Sequence, residues 1–113
     1  LNNGEIQKAL DYVNESLNIR QQVFGEAHYT VGTCKVNIAH IKMRREEYTE
    51  AIEYATIAKE VFDKEFGKTH HYVKVTSRII AGAEKKLKEK HSLKRLKSLY
   101  QSLVLNRYLQ KTM

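Results

Sequence analysis

Phe24-Gly25-Glu26-Ala27-His28 returns 42 residues later as Phe66-Gly67-Lys68-Thr69-His70. The echo runs well beyond those letters. Glu5/Glu47, Ala9/Ala51, Tyr12/Tyr54, Val31/Val73 and Ala39/Ala81 are identical at the same offset, and Leu10/Ile52, Asp11/Glu53, Ile19/Val61 and Ile38/Ile80 are similar in kind. No insertion or deletion is needed to hold the register. A fixed period of this size predicts stacked supersecondary units in line, each covering its neighbour, in place of one closed core.

The composition agrees with helix throughout. Proline and tryptophan are absent, glycine is sparse, and Ala, Leu, Glu and Lys are plentiful. With 113 residues the chain holds about two and a half units. No apolar run approaches the length of a membrane span. The single cysteine, Cys34, excludes an internal disulfide and is read as fitting a reducing, cytoplasmic compartment. Charge is unevenly placed. Residues 1–84 hold 11 Lys/Arg against 12 Asp/Glu, whereas residues 85–113 hold 9 Lys/Arg against Glu89 alone. That asymmetry bears on partners and not on the fold.

Leu1-Asn2-Asn3-Gly4 reads as the tail of a helix and the turn after it, so the chain is expected to begin inside a repeat. From Glu5 to Phe24 the apolar residues Ile6, Ala9, Leu10, Val13, Leu17 and Val23 fall near helical spacing. Gly25 ends that helix, since a residue without Cβ takes a left-handed C-cap at no steric cost. A second helix is expected over Tyr29–Arg45, with Val31, Cys34, Ile38 and Ile41 on one side. A third covers Glu47–Phe66, carrying Tyr48, Ala51, Ile52, Ala55, Ala58 and Phe62, and Gly67 stops it. A fourth covers His71–Lys88, with Val73, Ile80, Ala83 and Leu87.

Beyond it the register continues into a third copy. Leu93, Leu96, Tyr100, Leu103, Val104 and Tyr108 stand 42 residues after Ala51, Tyr54, Ala58, Val61, Phe62 and Phe66. Ser92 is available as an N-cap if the helix breaks near His91. Bulky Leu93 and Tyr100, in place of small Ala51 and Ala58, predict a fifth, terminal capping helix on which nothing further packs. One unbroken helix from His71 to about Gln110 is the alternative geometry.

His28-Tyr-Thr-Val31, Asn37-Ile-Ala39, Tyr48-Thr-Glu-Ala51 and Ala58 together resemble the tetratricopeptide repeat (TPR), in the 42-residue form of kinesin light chains. That form reads G-x-x-H-P, N-L-A and G-x-Y-x-E-A at the spacings where this chain has Gly25-Glu-Ala-His28, Asn37-Ile-Ala39 and Tyr48-Thr-Glu-Ala51. Tyr29 and His71 replace the proline, Lys35 and Ser77 an apolar residue, Lys42 and Glu84 an aromatic, and Glu46 the turn glycine. The resemblance implies an all-α superhelix of antiparallel helix hairpins, five helices here. Residues 1–25 would be the second helix of a truncated repeat, 28–67 a repeat, and 70–111 a divergent capping repeat.

In that architecture the first helix of each hairpin lines a concave groove. The groove would be floored by Thr33, Val36, Asn37, His40, Met43 and Arg44, and by Lys74, Arg78 and Lys85. Asn and His hydrogen-bonding groups among cations suit an extended peptide with acidic character. The chain is accordingly expected to be a protein–protein interaction scaffold, with no enzymatic activity and no cofactor.

His28 and His70 recur each just after a C-cap glycine, and are read as turn residues and not as metal ligands. No nucleophile triad, phosphate loop or acid pair can be assembled. Two further surfaces are expected. A helix at 5–24 without its inner partner would expose Ile6, Leu10, Val13 and Leu17, inviting homo-oligomerisation or docking by a larger protein. A basic patch of Lys85, Lys86, Lys88, Lys90, Lys94, Arg95 and Lys97 could meet RNA or an anionic membrane. Aromatics suited to base stacking are not interleaved with it. Gly32 and Gly82 lie inside helices, where each costs about 1 kcal/mol relative to Ala, and mark places of close approach.

Overall fold

A computed structural model describes residues 2–112, and every element in it is helical: α1 (Asn3–Phe24), α2 (Tyr29–Arg44), α3 (Tyr48–Phe66) and α4 (His71–Thr112). Leu1 and Met113 lie outside the described residues. The helices pack in chain order. α1 lies on α2, α2 on α3, α3 on α4, and a narrower contact joins α2 directly to α4; α1 approaches neither α3 nor α4. The radius of gyration is 20.2 Å, against about 13 Å for a compact chain of this length. The extents of 72 × 34 × 21 Å describe an elongated body.

The helix ends follow from the sequence echo. Gly25 and Gly67 both take left-handed φ, +85° and +87°, and each N–H returns to the carbonyl four residues earlier, on Gln21 and Asp63. His28 and His70 then accept a backbone N–H on Nδ1, from Thr30 and Tyr72 respectively. Each imidazole stacks on the phenylalanine that ended the previous helix, with centroids 4.3 Å apart for Phe24–His28 and 4.4 Å for Phe66–His70. The turn residues of the two halves therefore do the same work: a glycine that ends one helix, a histidine that caps the next, and a ring stack between them. Tyr29 and Tyr72 add edge contacts to Phe66, joining both turns into one aromatic edge.

Buried side chains run as a line between successive helices. Ala39 of α2 clusters with Ala55 of α3 and Ile79 of α4, and Ala58 and Phe62 of α3 cluster with Val73 of α4. Val31, Ile38, Ala51, Thr76 and Ala83 are buried as well, and Cys34 is buried against Ser16 and Arg20 of α1. The alanines let α3 sit close between its neighbours. Ile41, Tyr48, Ile52, Ile80 and Leu87, expected inside, are half-buried at the margins. Lys35 is buried along its stem and reaches Glu26 at 3.4 Å. Lys42 reaches Glu47 at 2.9 Å and Glu50 at 2.7 Å. Those two carboxylates, Glu50 foremost, hold the Lys42 pKa above its ordinary value against the opposing effect of burial. The same contact with Lys42 holds Glu47 below the usual carboxylate value.

Three expectations are corrected. Asn2 is not in the tail of a helix; its side chain accepts from Glu5 N–H at 2.9 Å and donates to the Glu5 carboxylate, capping α1 at its start. Ile6 and Leu10 are buried, and Val13 and Leu17 half-buried, so that stripe is spent on α2. The exposed apolar residues of α1 are instead Tyr12, Ile19, Val23 and Phe24.

The third correction concerns α4. Residues 71–112 are one continuous helix, giving four helices and not five, and Ser92 lies within it, not at a cap. The α2–α3 break needs Glu46 at φ +60°, a conformation that costs a non-glycine residue energy. Close packing of α3 on α2 and the Lys42 ion pairs compensate there. Lys88-Glu89-Lys90-His91, at the equivalent place, has neither a glycine nor comparable packing, so the helix runs on.

Candidate functional site

α2 and α4 run side by side, each behind a glycine–histidine turn, and an open pocket of about 200 Å³ lies between them. Thr33, Val36 and Asn37 of α2 line one wall, and His71, Tyr72 and Val75 of α4 the other; the floor is the Phe62 ring. Spacing makes this wall: Val36 and Asn37 follow Thr33 at three and four residues, and Val75 follows His71 at four, so each set shares a helix face.

The floor is set by Gly32. A Cβ at that position would lie 2.8 Å from Phe62 Cε1, closer than real side chains approach. Gly32 thereby admits the ring beneath the pocket, and Phe62 itself is fully buried, in contact with Tyr72 at 5.1 Å between centroids. One rim is polar and fixed from behind. Arg20 of α1 places Nη1 at 3.2 Å from the Thr30 carbonyl, and at 3.3 Å from both Thr33 Oγ1 and Cys34 Sγ. Thr33 Oγ1 in turn donates to the Thr30 carbonyl at 2.7 Å.

Of the residues singled out from the sequence, the structure brings Thr33, Val36 and Asn37 together at this pocket. Val36 is half-buried and also packs against the core. Met43 is half-buried against Ala39, Ala55 and Ile79, and its Cε lies 3.8 Å from where a Gly82 Cβ would stand. It is a packing residue more than a surface one. His40 and Arg44 are exposed on α2, and Lys74, Arg78 and Lys85 on α4; none of these five lines the pocket. Phe62, His71, Tyr72 and Val75 complete the site. Val75 is the next residue after Lys74 on α4. Tyr72 and Phe62 carried no such signal, because their facing depends on how α3 and α4 cross.

The basic residues Lys85, Lys86, Lys88, Lys90, Lys94, Arg95 and Lys97 are all exposed along the middle of α4. Lys86 approaches Glu89 at 3.9 Å. A shallow hollow where α4 passes the start of α3 gathers Glu46, Tyr48, Lys86, Glu89, Lys90 and Leu93. Past that point α4 stands clear of the other helices. His28 and His70 serve as helix caps, as expected from their positions after glycine. Cys34 is buried, with Sγ 3.7 Å from Ser16 Oγ.

No helix among the described residues is long and apolar enough to cross a membrane. No protein-family model matches the chain, and no solved structure matches it. Among curated proteins it is similar to the RxLR effector protein SFI4 of Phytophthora infestans (strain T30-4), with 30% identity over 95 residues. The match covers 82% of this chain and 28% of that protein, so the chain spans little more than a quarter of its relative's length.

Proposed function

We propose that the chain is a tetratricopeptide-type interaction module of a cytoplasmic protein, and that an extended peptide binds along the pocket between α2 and α4. The observation that carries this reading is the pairing of Asn37 and Thr33 with an apolar floor of Val36, Val75 and Phe62 in one open pocket. Apolar floor and polar rim together suit a peptide: side chains enter the floor while Asn37 pairs with peptide backbone groups. Exposed Arg44, Lys74, Arg78 and Lys85 on the same two helices would draw in acidic residues flanking the anchored segment. The near-identical turns at Gly25–His28 and Gly67–His70 support the repeat assignment.

Selection from a displayed library of random peptides tests it. Binders enriched in Asp and Glu around an apolar residue are expected, weakened about tenfold or more by Asn37→Ala combined with Val75→Arg. Failure to select any peptide, or binders indifferent to those substitutions, would refute the pocket as a peptide site.

A second reading rests on α1. Tyr12 is 77% exposed, and with Glu15, Ser16, Ile19 and Arg20 it lines a hollow on the flank of α1, where Ser16 and Arg20 border the contact with α2. A further helix, from a larger protein or a second copy, would pack there as α3 packs on α2. Tyr12→Ser with Ile19→Ser should abolish any concentration-dependent association in sedimentation, leaving peptide binding intact.

A further inference from the structure

Because α4 does not break, its distal half presents side chains that a folded-back capping helix would have covered. Leu93, Leu96, Leu99, Tyr100, Leu103 and Val104 are each between 48% and 69% exposed. At 100° per residue they occupy one arc of α4 less than half a turn wide. Both edges of that arc are basic. Lys88 and Arg95 flank one side, and Lys90 and Lys97 the other, while Lys94, Ser98, Gln101 and Ser102 lie across the helix. Glu89, the one acidic residue in residues 85–113, falls on the same side one turn before Leu93, with Lys86 3.9 Å away, so the apolar face begins at Leu93.

From this arrangement we infer that residues 90–104 of α4 bind the surface of an anionic lipid bilayer, lying in the headgroup plane with the leucine face down. The apolar arc enters the acyl boundary, and flanking Lys and Arg keep their charge at the phosphates while their stems cover the edge of the arc. The charge distribution selects among occupants. A second copy would set one strongly cationic helix against another, with Glu89 alone to relieve it. A phosphate backbone would satisfy the cations and leave six large apolar side chains in water, with Tyr100 the lone aromatic among them. An anionic bilayer answers the apolar arc and its basic borders at once. The helix is too polar to cross the bilayer, so it is expected to lie on the surface.

The test is co-sedimentation of the full chain with vesicles of phosphatidylcholine alone or with about a third phosphatidylserine, each at low and physiological salt. Binding to the phosphatidylserine vesicles at least about tenfold above the neutral ones is expected, falling as salt rises. Leu96→Ser with Leu103→Ser should remove most of the binding, although the cations remain. Lys94→Ser, Arg95→Ser and Lys97→Ser together should weaken it and flatten its salt dependence. Tyr100→Trp should show a blue-shifted emission on anionic vesicles. Circular dichroism of each variant establishes that it is folded.

Four results overturn the inference. They are equal binding to neutral vesicles, no binding at either salt, binding unchanged by the paired leucine substitutions, and a stable dimer or a complex with an acidic helical peptide in which the leucines are covered and vesicles are ignored.

Discussion

The Phe62 ring sits against Gly32 so closely that a methyl group there would lie 2.8 Å from Cε1 and 3.1 Å from Cζ. Phe62 is 1% exposed, and to make way for that methyl group its ring would have to leave its packed position and push into the pocket above it. Overpacking should therefore outweigh the helix-propensity gain of about 1 kcal/mol that alanine brings. Gly32→Ala is expected to lose about 1–2 kcal/mol in urea unfolding and to disturb the pocket floor. Gly82→Ala makes the opposite case. Its Cβ would meet Met43 Cε at 3.8 Å, an ordinary contact, so it should gain up to about 1 kcal/mol. Equal effects at the two glycines would contradict this account of the packing.

His28 caps α2 through Nδ1, which accepts from Thr30 N–H at 3.2 Å. Asparagine keeps an acceptor in reach and alanine does not. His28→Ala should cost about 1 kcal/mol in unfolding free energy, and His28→Asn only a part of that. Loss of the stack on Phe24 is common to both variants, so their difference reads the polar contacts with Thr30, its N–H and its hydroxyl 2.7 Å from Nδ1.

Lys42, between Glu47 and Glu50, gives the stability a predictable dependence on pH. Its folded pKa is raised; its contribution is whole below the unfolded-chain value of about 10.4, and is lost as pH climbs through the folded one. Glu47 is lowered; its contribution is whole above about 4.3 and is lost as pH falls through the folded value. A plateau between those limits is expected in unfolding measurements. Lys42→Met should make the acid limb shallower, because Glu47 then keeps only the Arg45 guanidinium, at 3.1 Å, to favour its carboxylate form.

Shortening the chain tests where α4 ceases to contribute to packing. A chain ending at Lys97 should keep its unfolding free energy to within about 0.5 kcal/mol, since the side chains of residues 98–111 are exposed. Its helical signal should fall in proportion to the residues removed. A loss of several kcal/mol would mean that the distal segment folds back on the body.

The three breaks in the chain show why some of this was legible in the sequence. Gly25 and Gly67 announce themselves, because the left-handed turn they make suits no other residue as well. Arg45-Glu46-Glu47 contains no such residue, yet the 42-residue register located the break, which tertiary packing enforces on Glu46. The register alone predicted the same break at Lys88-Glu89, and there the prediction failed for want of that packing. The site shows the same division. Thr33, Val36 and Asn37 follow from helical spacing on one element, whereas Tyr72 and Phe62 reach it through the crossing of α3 with α4. Lys35 and Lys42, departures from an apolar pattern, were visible as anomalies; Glu26, Glu47 and Glu50 account for them only once the chain is folded.

An uninterrupted α4 also fixes a distance. At about 1.5 Å per residue, Val75 in the pocket wall and Leu103 near the far end are held roughly 40 Å apart on a single rod. Whatever the pocket grips and whatever the tip rests on are thus kept at a set separation, with no hinge between them to absorb a change in either.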